Sequence, residues 1–310
     1  MSIMKNVGGQ AVIEGVMIRS LNYNVVAVRK KNRIITKTDK IKQRKGFYAI
    51  PVVRGFYNLV DMLVLGMKSI TWSAEQQMES EKDSEKISKS EIIITILLSI
   101  GLAMLLFMAL PYFLTLIIGF REETQPLFFN LIDGIIRIGM FLLYIYLISL
   151  MKDVKVLFRY HGAEHKSVHC YENGKKLDIK NIKKYSTLHP RCGTAFIMIV
   201  LVVSILVFSI LTPIVLHLFP SLASMHIFPR KIILFLIRIS LLPLIAGVSY
   251  EFLKFGAKYE KNRIMKIFVF PGLLMQKITT KEPSKKQMEV AIEAVKRVLA
   301  LEKTAVCKKS

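Results

Sequence analysis

The chain has 310 residues, 53% of them hydrophobic, with a mean hydropathy of +0.43 and a formal net charge of +23. That is too apolar for an ordinary soluble protein and points to a membrane protein. The basic surplus would suit a nucleic-acid partner, but membrane topology and anionic lipid headgroups account for most of it more simply.

The N-terminal stretch "MSIMKNVGGQAVIEGVMIRS" lacks a continuous apolar core, so no cleavable signal peptide is expected. Residues 1–49 are expected to form a cytoplasmic β-rich segment. "AVIEGVMI" partly alternates, and "NVVAVRK" and "RIITKT" flank a Lys31-Asn32 turn as the arms of a hairpin. Gly8, Gly9 and Gly15 surround Glu14 as if the backbone had to approach something closely, but the pattern fails as a phosphate loop. Glu14 is expected either to bond to backbone or Arg54, or to lie close to a substrate.

Residues 50–90 are expected to hold an amphipathic helix and a charged linker. In Ile50–Gln77, Asn58, Asp61, Lys68 and Ser69 share one face, while Phe56, Leu59, Leu63 and Ile70 lie elsewhere. Such a helix belongs at the membrane interface or buried in a soluble domain. The stretch 78–90, "MESEKDSEKISKS", has no apolar period and is assigned no chemistry.

Residues 91–151 are expected to carry two membrane helices, Ile92–Phe120 and Leu127–Met151, and residues 194–252 two more, Ala195–Phe219 and Ile232–Tyr250. The second contains Asp133 and Arg137, four residues apart on one helical face. They are expected to neutralise each other inside the bundle or to meet a substrate or proton. The fourth contains Arg238 and a central Pro243. Of the 45 Lys and Arg, all but Arg121, Arg137, Arg230, Lys231 and Arg238 fall on one side of these spans. By the positive-inside rule, the N-terminal region, the 152–193 loop and the 253–310 segment, with its terminal helix, face the cytoplasm. The fold expected is an α-helical integral membrane protein with about four transmembrane helices and a small α+β cytoplasmic domain. No internal repeat is evident, which gives an inverted-repeat transporter no support.

The 152–193 loop concentrates the chemistry. In "YHGAEHKSVHCYE" (Tyr160–Glu172), His161, Glu164, His165, His169 and Glu172 fall within an arc of about 140° on a helix. His161-Gly162-Ala163-Glu164-His165 matches H-x-x-E-H, in which two histidines four apart reach one ion and the Glu beside them acts as base. Gly162 weakens the helix there. Further on, "STLHPRCGTAF" places His189 and Cys192 three apart just before the third span, a reasonable ligand pair for Zn²⁺. Cys170, Cys192 and Cys307 are odd in number and expected in the reducing cytoplasm, so metal ligation or burial is expected instead of a disulfide framework. The ligands expected are His161, His165, His189 and Cys192, with Glu164 as general base. His169 and Glu172 are candidates for orienting a ligand. All four ligands on one ion would make a closed, structural site; three plus water would make a catalytic one. Gln276 and Thr279 are weaker candidates for ligand contact.

"GGQAVIEGVMIRS", "YHGAEHKSVHCYE", "HPRCGTAF", "SYEFLKFGAK" and "TTKEP" occur in this order over nearly the full chain. In these motifs the sequence resembles the YqhQ family of bacterial membrane proteins, classed by a domain of unknown function. The resemblance implies a multi-pass protein of the bacterial inner (plasma) membrane, and some descriptions of the family make it a metal-dependent enzyme. The matching positions are His161, Glu164, His165, His189 and Cys192.

Three functions follow as expectations. The first is a zinc-dependent enzyme, hydrolytic and acting on a membrane-associated substrate at the cytoplasmic boundary. The second is an assembly factor with a structural metal, whose basic face docks a ribosome or translocon. The third is a transporter built on Asp133, Arg137 and Arg238.

Overall fold

In the computed structural model of the chain, residues 7–42, 46–78, 89–122, 124–258 and 263–307 are described. The charged stretch 79–88 expected as a linker lies outside them, as does the side chain of Cys307.

The chain begins with four antiparallel strands in sequence order: β1 (Gly8–Val12), β2 (Gly15–Arg19), β3 (Tyr23–Lys30) and β4 (Arg33–Lys40). Lys30 pairs with Arg33, so the β3–β4 hairpin turns at Lys31-Asn32, as its sequence predicts. Glu14 and Lys31 adopt left-handed φ of 51° and 54° in the two tight turns. The close approach implied by the glycines is to a neighbouring strand. A Cβ on Gly15 would stand 2.2 Å from the Ala27 carbonyl oxygen. β2 and β3 are buried on both faces, which is why "AVIEGVMI" alternates only partly. Val16, Ile18, Val25 and Ala27 enter one core, and Met17, Val26 and Val28 enter another.

The second of these cores is closed by α1 (Val53–Met78), through Met62, Leu65 and Trp72. Of the two placements expected for the helix, the packing against the sheet is the buried one. Near its start, Gly55 packs against Gly247 and Tyr250, and Arg54 makes a two-pronged ion pair with Glu251 at 2.7 and 2.5 Å. Arg54 is thereby occupied, and Glu14 instead accepts a 3.0 Å hydrogen bond from Tyr160. Leu63, Val64 and Met67 remain exposed on the opposite side of α1.

Next come α2 (Lys89–Met104), a π turn at Leu105–Ala109, and α3 (Leu110–Ile117), which together supply the first apolar span. They are followed by α4 (Pro126–Ile148), α5 (Lys152–Glu172), α6 (Ile179–Ile182), α7 (Gly193–Leu218), α8 (Pro220–Ala223) and α9 (Ile227–Lys258). α10 (Arg263–Thr279) and α11 (Lys285–Cys307) complete the chain. Four helical stretches are long and apolar enough to cross a membrane: Leu97–Ile117, Pro126–Ile148, Gly193–Leu218 and Ile227–Gly256. The second ends three residues earlier than the sequence suggests, because Ser149–Met151 turn the chain into α5. The fourth runs longer at both ends, with Pro243 accommodated inside it.

The first core lies between the sheet, α5 and α11, and holds Tyr160, Ala163 and Val168 against Met288, Ala291 and Val295. α11 is thus a core helix with an exposed outer face. Its last turns are pinned by Glu302, 1% exposed. That carboxylate accepts hydrogen bonds from Ser20 Oγ (2.7 Å), Asn22 N (2.6 Å) and Asn22 Nδ2 (2.7 Å). Glu302→Ala removes an acceptor shared by three donors and should cost about 3 kcal/mol. Glu293→Ala, on the exposed face, should stay within about 0.5 kcal/mol. Thermal unfolding of the detergent-solubilised protein should therefore shift down clearly for the first variant only.

Candidate metal centre

From Tyr160 to Val168 every residue of α5 is buried, although the run contains two histidines, a glutamate and a lysine. A helix of this polarity survives all-round burial only if each polar group finds a partner. The sheet and α11 cover one side. The 186–192 segment, the end of α10 and the Thr280–Pro283 strap that follows it supply partners on others. The strap lies directly on the helix, with Lys281 N donating to the Phe158 carbonyl at 2.9 Å. Gly162 therefore has a packing reason beyond its low helix propensity: a Cβ there would stand 2.1 Å from the Lys281 carbonyl oxygen.

Each imidazole is oriented by a main-chain carbonyl. His161 Nδ1 donates to Thr279 O at 2.9 Å, and His165 Nδ1 to Thr187 O at 2.5 Å. With the Nδ1 protons so held, the Nε2 atoms are the ones left to converge on Cys192. His161 Nε2 is 3.1 Å from Cys192 Sγ. One ligand atom from each of His161, His165 and Cys192 lies within 4.8 Å of the others, and all three residues are buried. Cys192 caps α7, where Sγ also accepts from Thr194 N at 3.4 Å. Glu164 Oε2 is 3.4 Å from His165 Nε2.

The electrostatics suit an ion pair or a metal. Burial pulls His161 down, but the charge and hydrogen bond of Cys192, together with Glu164 and the Thr279 carbonyl, outweigh it and raise the imidazole to about 9. Burial raises the Cys192 thiol, but the charge and hydrogen bonds of His161 and His165 prevail and hold it well below the usual thiol range. A thiolate bracketed by two imidazoles is a soft N₂S donor set.

His189 stands one step along, in a second group with His169 and Glu172 whose ligand atoms also lie within 4.8 Å. Its ring centroid is 5.6 Å from that of His165 and 4.4 Å from that of His169. The commitments in this group are local. His189 Nε2 donates to Glu172 at 3.2 Å, Glu172 is also paired with Arg191, and His169 Nε2 donates to Leu188 O at 2.8 Å. Burial and the nearby His189 lower His169 to about 4, which keeps it neutral. Gln276 clamps the His189 backbone from both sides, accepting from its N–H at 2.7 Å and donating to its carbonyl at 2.9 Å.

Of the residues singled out in the sequence, the structure brings His161, His165 and Cys192 together, with Glu164 beside His165, and groups His169, Glu172 and His189 next to them. Glu14 reaches Tyr160 and not this cluster. Asp133 and Arg137 pair with each other at 2.8 Å within α4. Gln276 and Thr279, weaker candidates for ligand contact, brace His189 and His161. Thr187 and Lys166 carried no signal. Thr187 acts through its carbonyl, and Lys166 reaches Glu282 at 2.5 Å.

Residues 50–301 match the family described as "Protein of unknown function (DUF1385)". The chain is also 32% identical to the Bacillus subtilis (strain 168) protein "Uncharacterized protein YqhQ", across 95% of this chain and 92% of that one. No solved structure matches it. The chain belongs to this family of proteins of unknown function.

Gly162→Ala should force the Lys281 strap off α5 and lower the unfolding temperature by the equivalent of about 2–3 kcal/mol. Gly139→Ala, where an added Cβ meets nothing within 4 Å, is the control expected to leave unfolding unchanged or slightly stabilised.

Proposed function

We propose that this DUF1385-family chain is a multi-pass membrane protein with one divalent-metal centre, zinc by donor type, held by His161, His165 and Cys192. We place the centre on the cytoplasmic side and take the reaction to be hydrolysis of a membrane-associated substrate. The observation that carries the proposal is the paired orientation of the imidazoles: both Nδ1 atoms donate to main-chain carbonyls, His161 Nε2 stands 3.1 Å from Cys192 Sγ, and a ligand atom of His165 lies within 4.8 Å of both. Three protein donors leave the fourth tetrahedral position for water or substrate, the pattern of catalytic zinc sites.

Zinc at such a position makes bound water acidic near neutral pH and polarises a scissile carbonyl or phosphoryl oxygen. Glu164, beside His165 and 3% exposed, is the residue we assign as general base, which would accept a proton from water there and return it to the leaving group. Thr279 and Thr187 fix the tautomers through their carbonyls. The His169–Glu172–His189 group, with Glu172 also neutralised by Arg191, holds the 188–191 turn that presents Cys192.

One observation favours a second reading. His161, Glu164, His165 and Cys192 are all 8% exposed or less, which suits a closed structural centre in an assembly factor whose basic face meets a partner such as a ribosome or translocon.

Protein purified in detergent should contain about one zinc per chain, lost in a His161→Ala, His165→Ala double variant and retained in Glu164→Gln. Cobalt substitution should give a thiolate-to-metal charge-transfer band that Cys192→Ser abolishes. A small hydroxamate should perturb the cobalt spectrum if the fourth position is open, and leave it unchanged if the centre is structural. Full retention of metal in the double variant would refute both readings.

A further inference from the structure

A cavity of about 610 Å³ opens between the first span, α4 and α9. It lies in the half of the bundle away from the His/Cys cluster. Cys192 caps the start of α7, whereas Thr212, which contacts the cavity's Arg238, lies about 28 Å further along that helix. The volume is that of a small-ligand site. Part of its wall is the π turn, through Leu105, Met108 and Ala109, and π turns recur where a helix is shaped around a ligand.

The polar part of its lining is incompletely partnered. Arg238 Nη2 donates to Asn130 Oδ1 at 3.0 Å and Thr212 Oγ1 at 2.9 Å, both neutral acceptors, and its Nε has no hydrogen-bond partner. Asp133 is 6% exposed and lines the cavity; one of its oxygens is held by Arg137, while Oδ1 has no partner. Lys231 adds a third cation, donating to the Tyr112 hydroxyl at 2.5 Å and standing 3.4 Å from Glu122. At membrane depth, an unsatisfied guanidinium and an unsatisfied carboxylate oxygen each cost free energy that a ligand can recover. Among the described residues that line it, Arg137, Lys231 and Arg238 stand against Asp133 and Glu122, a balance that favours an anion. The remaining wall is hydrocarbon and aromatic.

We propose that this cavity binds an anionic phospholipid-like amphiphile. Its phosphate meets Arg238, a headgroup hydroxyl donates to Asp133 Oδ1, and an acyl chain lies along Met104, Met108, Phe113 and Phe235. None of these residues belongs to the metal centre, so the two proposals fail independently.

Native mass spectrometry of the full chain in detergent tests this with phosphatidylglycerol, which carries both an anionic phosphate and headgroup hydroxyls. Phosphatidylcholine, oleate and inorganic phosphate are the comparison probes. Phosphatidylglycerol should bind at least about tenfold more tightly than phosphatidylcholine or oleate. Arg238→Gln should remove that preference, while His165→Ala should leave it intact. Met108→Trp, which fills the cavity without touching its charges, should also abolish binding, and it decides the matter if Arg238→Gln does not fold. Equal binding of phosphatidylglycerol and phosphatidylcholine, full competition by inorganic phosphate alone, or undiminished binding in a folded Met108→Trp protein would each overturn the proposal.

Discussion

The structure depends on burying a polar helix. Residues 160–168 of α5 are enclosed on all sides, yet they include His161, Glu164, His165 and Lys166. Leaving any of these unpartnered would cost more than a typical core contact returns. Their partners are therefore specified closely: the carbonyls of Thr187 and Thr279 for the imidazoles, and Glu282 for Lys166. The Tyr160 hydroxyl goes to Glu14. Segments far apart in sequence are held on α5 for this reason, and Gly162 is the position at which the strap can come close enough.

The apolar spans serve this arrangement by fixing where its pieces begin and end. α4 delivers the chain to α5 through a three-residue turn, and α7 starts at the residue that supplies the thiolate. α10 packs along α7, with Gly272 close against Ala195, and this brings Gln276 and Thr279 over the cluster. α1 ties the sheet to α9 through Arg54–Glu251 while presenting Leu63, Val64 and Met67 outward. The sheet and the apolar helices are thus connected at several independent points.

Much of this was legible in the sequence because it depends on period and composition. The four spans follow from uninterrupted apolar length, the β3–β4 hairpin from its two-residue turn, and the cluster of His161, His165 and Cys192 from ligand-type residues flanking two spans. What was not legible depends on main-chain atoms and on both-sided burial. The carbonyls that orient the histidines belong to threonines whose side chains predict nothing of the kind. The separation of His189 from the other ligands arises because the 189–192 turn runs antiparallel to α5, setting His189 beside His169 and Glu172 and Cys192 beside His161. Spacing alone does not give that direction. The one-sided stripe read on α5 lies in a helix whose middle, residues 160–168, is buried all round, since α11 and the strap close on faces the sequence leaves unassigned.

The convergence of two imidazole nitrogens and one thiolate on a single ion is tested most directly by zinc K-edge X-ray absorption on the protein as isolated. The account predicts a first shell with one sulfur at about 2.3 Å and two imidazole nitrogens at about 2.0–2.1 Å, the sulfur disappearing in Cys192→Ser. A shell of nitrogen and oxygen alone in the unaltered protein, or a sulfur contribution that survives Cys192→Ser, would contradict it.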